Sequence, residues 1–102
     1  MIKKYRISEK AISDLERIWF FTLNKWSREQ ADRYYNLIID EIEYIVDNFE
    51  LSRRIDYILP GYRMTKVKSH FIFFKLTEGN VVEIIRILHQ SMDIENRLKE
   101  DH

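Results

Sequence analysis

The chain has 102 residues, no cysteine, two glycines, and 17 acidic residues balancing 17 basic ones. That length suits one domain, residues 1–102, which can bury roughly two-thirds of its unfolded surface without metal or disulfide staples. Lack of cysteine excludes disulfides and cysteine-based zinc sites, and the apolar runs fall far short of the roughly 20 residues of a membrane span, so a soluble cytoplasmic protein is expected.

The N-terminus, MIKKYRIS, has no apolar stretch behind its charges and does not read as a signal peptide. Ile2–Ile7 alternates in the manner of a short strand. Ser8 is placed to cap a helix, along which Ala11, Ile12, Leu15, Ile18, Trp19, Thr22, Leu23 and Trp26 form one stripe at helical spacing. Phe20 and Phe21 flank that stripe rather than sit in it, which suggests a partner surface unless a neighbouring element covers them. Ser27 and Gln30 resemble a capping box that starts a second helix. Its apolar face runs through Ala31, Tyr34, Tyr35, Ile38, Ile42, Ile45 and Phe49, and both tyrosines read as core. Helices joined by one or two residues form an antiparallel hairpin.

Residues 50–60, ELSRRIDYILP, lack a period and close on the single proline, so they read as a connecting loop. Gly61–Lys68, His70–Leu76 and Val81–Leu88 then read as strands, the last buried and central, with Thr77–Asn80 as a tight turn. Met92–Leu98 makes a short terminal helix, followed by a polar tail. The order β-αα-βββ predicts an α+β fold, a helical hairpin on one face of a small, mainly antiparallel sheet.

Charge is unevenly spread. Residues 1–50 carry eight Lys/Arg against ten Asp/Glu, residues 51–90 seven against three, and residues 91–102 two against four. The sheet segment is therefore the basic part, and suits either an anionic partner or plain solvation. On the strand after Pro60, Met64, Lys66 and Lys68 point one way, and Arg63, Thr65 and Val67 the other. Because the helices can cover one face alone, one set is expected to be open. Arg63 is a candidate for phosphate, with Lys66 and Lys68 to neutralise a backbone. Arg86 lies in the most apolar strand and needs a partner; Glu83 is near in sequence but falls on the opposite face unless a bulge intervenes. His89, at the strand end, suits a general acid or base, or a plain structural hydrogen bond. His70, read as a turn residue, and the terminal His102 carry no functional signal. Metal-ligand spacing, a phosphate-cradling glycine loop and a nucleophile motif are all missing, and no cofactor is expected.

Three segments, YRISEKAISDLERIWFF, GYRMTKVKSHFIFFKL and VVEIIRILHQSMD, span most of the chain in order. Together they resemble the ParE branch of the RelE/ParE superfamily of small bacterial toxins from type II toxin–antitoxin systems. The resemblance implies an antitoxin partner that lays a helix into an apolar groove, with Phe20 and Phe21 as candidate contacts. It implies DNA gyrase as the target, inhibited by binding rather than by catalysis, through Arg63, Lys66, Lys68, Arg86 and His89. RelE-like relatives cut mRNA on the ribosome, so an endonuclease using Arg63, Lys66, Lys68 and His89 is the alternative. Neither reading implies a metal, a membrane or direct sequence-specific nucleic-acid binding. Both expect the basic side chains to gather on an uncovered sheet surface opposite the helices.

Overall fold

A computed structural model describes residues 4–100. Ile2 and Lys3 of the expected first strand, and Asp101 and His102 of the tail, lie outside the described residues. The elements are β1 (Lys4–Ile7), α1 (Glu9–Lys25), α2 (Arg28–Asp47), β2 (Arg53–Arg54), β3 (Tyr62–Val67), β4 (His70–Thr77), β5 (Val81–His89) and α3 (Ile94–Glu100). The α+β class and the helical hairpin are as the sequence predicts.

Both helix starts are fixed by serine. Ser8 is extended, and its hydroxyl oxygen accepts from Ala11 N at 3.1 Å while donating to Ile85 O at 2.8 Å. One side chain thus caps α1 and ties it to β5, satisfying an amide that a helix start otherwise leaves open. Ser27 Oγ accepts from Gln30 N at 3.1 Å and begins α2 after a minimal turn.

The five strands lie in the order β1-β5-β4-β3-β2. β1 runs parallel to β5, and the other pairs are antiparallel. The hairpin, β2, β3 and β4 all intervene between the parallel strands β1 and β5, which a tight turn could not join. The two-residue β2 falls in the segment read as a loop, where Arg53 and Arg54 show no period and gain strand geometry only by pairing with β3. The β4–β5 turn uses left-handed backbone at Gly79 (φ 74°) and Asn80 (φ 62°), residue types that tolerate it.

The hairpin packs on one sheet face. Ala11, Leu15, Ile38, Ile42 and Ile45 from the helices meet Ile72, Phe74, Val82, Ile84 and Ile87 from the strands. The other face is not open as the sequence reading expects. It carries a second core of Ile55, Tyr62, Met64, Phe73, Leu88 and Leu98, with Ile58, Leu59 and Ile94 packed against it. The reason is the sheet's own composition. Ile72, Phe73 and Phe74 are all fully buried and point alternately to both sides, so β4 needs cover above and below. The segment after β2 and α3 supply it.

In the β4–β5 pairing Phe73 faces Arg86 and Phe74 faces Ile84, which leaves Ile85 as an extra residue. Such a bulge bends the strand and re-aims neighbouring side chains. Here it brings Arg86 to Asp14 on α1.

Candidate functional site

The sequence-predicted site residues are dispersed. Arg63 lies on the helix side, where its guanidinium donates to Ser52 O at 2.9 Å and Phe49 O at 3.2 Å and stacks 4.5 Å from the Phe49 ring centre. Glu50 lies 3.9 Å from it. Arg63 thus clamps the turn after α2. Arg86 is buried and pairs bidentately with Asp14, Nε to Oδ2 at 2.8 Å and Nη2 to Oδ1 at 3.0 Å. Asp14 Oδ2 also accepts from Ile87 N at 2.9 Å. Glu83, the partner considered from sequence, instead binds Arg6 across the parallel β1–β5 pair at 3.0 Å.

Lys66 projects from the opposite side of β3, its ammonium 5.8 Å from the Phe71 ring centre. Lys68 stands in the β3–β4 turn with φ 54°. A shared basic sheet surface is therefore not formed. Strand alternation separates Arg63 from Lys66, and internal acceptors hold both arginines.

Two of the residues predicted for target contact do come together, Lys68 and His89, in a groove of about 980 Å³. It lies between the tip of the helical hairpin, the β3–β4 turn and the end of β5, and Phe21 forms part of its wall. At its base the Tyr34 hydroxyl donates to Val67 O at 3.2 Å and lies 2.6 Å from His70 Nδ1. With the phenol proton directed to Val67, that short contact needs the imidazole Nδ1–H to donate. His70 packs edge-to-face on His89, ring centres 5.1 Å apart. Burial first, then the neighbouring His89, lowers the His70 pKa from 6.5 to about 4, with Asp14 opposing. A neutral His70 is what a half-buried imidazole without a carboxylate contact should be.

His89 Nδ1 accepts from Ser91 N at 3.1 Å and sits 2.7 Å from Ser91 Oγ. Accepting at Nδ1 leaves Nε2 as the proton-bearing nitrogen of the neutral ring. The structural hydrogen bond expected of a strand-end histidine is thus present, although it engages an amide rather than a carbonyl.

The groove also gathers Arg17, Lys25, Arg33 and Lys68, and none of its described lining residues is acidic. Arg17, Lys25, Arg33, Trp26, Tyr34 and His70 escape a sequence reading centred on the strands. Tyr34 belongs to the α2 apolar stripe yet uses its hydroxyl at the rim, where it meets His70, the first residue of β4. Tyr35, also expected in the core, is 40% exposed.

Phe20 and Phe21 are exposed, at 56% and 64%, but they line different grooves. Phe20 joins Ile12, Trp19 and Tyr35 in a second groove of about 830 Å³ beside Ile7 of the edge strand β1. Among the described residues no group of three or more His, Cys, Asp or Glu side chains is arranged to hold a metal, and no helix is long and apolar enough to cross a membrane.

Residues 5–94 match the sequence profile of a family described as the ParE toxin of type II toxin–antitoxin system, parDE. Toxin ParE1 of Mycobacterium tuberculosis is 34% identical over 98 residues, 96% of this chain and all of that protein. Toxin ParE1 of Caulobacter vibrioides is 37% identical over 92 residues, covering 90% of this chain and 94% of the relative. A solved structure titled as a chromosomal ParDE TA system from P. aeruginosa shares the fold, with a TM-score of 0.75 at 18% identity, over 86% of this chain and 96% of that one. The chain therefore belongs to the ParE toxin family of type II toxin–antitoxin systems.

Proposed function

We propose that this toxin works in the cytoplasm by binding DNA gyrase, without catalysis of its own, and that a cognate antitoxin neutralises it. Membership of the ParE family is the observation that carries the target. The geometry supports a binding role, because the guanidinium of Arg63, which the phosphate-cleaving reading needs, is held by Ser52 O and Phe49 O. Of the residues considered for target contact, Lys66, Lys68 and His89 remain at the surface, while Arg63 and Arg86 position the turn after α2 and strand β5. Phe20 and Phe21 open into different grooves, so an antitoxin segment that covers both must wrap from one to the other. Such wrapping fits a chain that folds on binding.

An mRNA-cleaving reading draws on one observation, the joint presence of Lys68, His70 and His89 in a single groove. Purified toxin added to a gyrase supercoiling reaction and, in parallel, to ribosomes on a defined mRNA separates the two. Linear DNA with intact transcripts is expected. Cut transcripts with normal supercoiling overturn the gyrase reading, and loss of that cutting in His89→Ala assigns the histidine to it. For the antitoxin contacts, Phe20→Asp and Phe21→Asp should each weaken capture of the antitoxin by tenfold or more. If neither changes it, the grooves are not the docking surface.

A further inference from the structure

The groove at the hairpin tip combines cations and exposed ring faces in a repeating order. Arg17, Phe21 and Lys25 are four residues apart along α1, which stacks them on one helix face. Lys25 Nζ stands 5.5 Å from the Phe21 ring centre and 6.0 Å from that of Trp26, a residue 69% exposed. Arg33 from α2 and Lys68 from the β3–β4 turn complete the wall. Among the described residues none of Arg17, Arg33 and Lys68 makes an ion pair. The groove thus holds four cations on a chain of zero net charge.

We propose that this groove binds a short single-stranded nucleic-acid segment, two or three nucleotides long, without regard to sequence. Large ring faces offer stacking to any base, and a cation between them meets the phosphate that follows each base. Lys25 is flexible enough to leave the rings for a phosphate when a base arrives. Gln30, Ser69 and Ser91, with His89 Nε2, add hydrogen-bonding groups around the same space. An acidic peptide matches the charge but finds less backbone to pair with. β4 lies between β3 and β5, and beyond Ile84, where β1 ends, the Ile85 carbonyl and the Ile87 amide are already taken by Ser8 and Asp14, which leaves an extended chain a poor strand edge here.

The test uses the whole protein and labelled mixed-sequence oligonucleotides of roughly eight nucleotides, as DNA and as RNA, read by fluorescence anisotropy. Trp19→Phe leaves Trp26 as the single tryptophan, and its emission should be quenched on binding. Three or four phosphate contacts predict a slope of log affinity against log salt of about −2 to −3. Trp26→Ala should weaken binding roughly tenfold, Arg17→Glu with Lys68→Glu should abolish it, and Lys99→Glu on α3 should leave it unchanged. Circular dichroism establishes that each variant is folded. A preference of tenfold or more for one sugar identifies whether DNA or RNA is the natural occupant.

The proposal is overturned if neither oligonucleotide binds the folded protein at about 50 mM salt, or if the groove variants bind as well as the parent. Neither of these outcomes depends on gyrase being the target, so the two readings stand or fall separately.

Discussion

Asp14→Ala should be among the most damaging single changes in this protein. Asp14 and Arg86 side chains are 6% and 9% exposed, and the carboxylate accepts three hydrogen bonds, two from Arg86 and one from Ile87 N. Deleting it leaves a guanidinium buried without its counter-charge at the bulge that joins α1 to β5. Removing one partner of a buried ion pair costs about 3–5 kcal/mol, against a total stability of roughly 5–15 kcal/mol for a domain. Asp14→Asn keeps one acceptor and the shape, and should cost less, about 1.5–3 kcal/mol. Asp14→Leu combined with Arg86→Met removes both charges, and should lie within about 1–2 kcal/mol of the parent because the desolvation penalty goes with the pair. Urea unfolding followed by circular dichroism gives all three values. A cost for Asp14→Ala below about 1 kcal/mol, or a double variant no better than Asp14→Ala, would refute the assignment of this pair as the internal brace between the layers.

Three further predictions follow the same logic. Because His70 is held neutral, with its pKa lowered from 6.5 to about 4, the unfolded chain binds more protons across that window. Stability should therefore be complete above about pH 6.5 and fall toward pH 4, and His70→Gln should flatten this slope in urea titrations at several pH values. Arg63→Ala removes the donor to Ser52 O and Phe49 O and the stack on Phe49, and should cost about 1.5–3 kcal/mol, with faster amide exchange in the turn after α2. Leu98→Ala opens the second core at a fully buried position and should cost about 2–5 kcal/mol, with α3 losing exchange protection before the hairpin does.

Periodicity made the helices, the three long strands and the serine caps legible, because each rests on local spacing or a local hydrogen bond. The second core was harder to see. Ile55, Ile58 and Leu59 stand in a segment without a repeat, and their burial depends on what the sheet's far face lacks. Tyr35 and Tyr34 occupy adjacent positions on α2, and an amphipathic stripe cannot tell which of two neighbouring rings reaches the rim. The Asp14–Arg86 pair was within reach. Asp14 falls three residues after Ala11 and four before Ile18, on the apolar stripe of α1, and Arg86 is the one cation inside the most apolar strand. A lone acid and a lone base, each in an apolar setting, are each costly unless they meet.

The same reasoning explains why the basic strand segment misled as a site. A cation whose sequence neighbours are apolar is under pressure to find an internal acceptor, as Arg63 and Arg86 do. A cation that recurs at helical spacing with an aromatic residue between, as Arg17 and Lys25 do around Phe21, is exposed and makes no ion pair among the described residues. For this fold, an arginine set between apolar residues of a strand marks the frame that holds the layers together. Charge interleaved with rings along α1 marks surface that stays available to a partner.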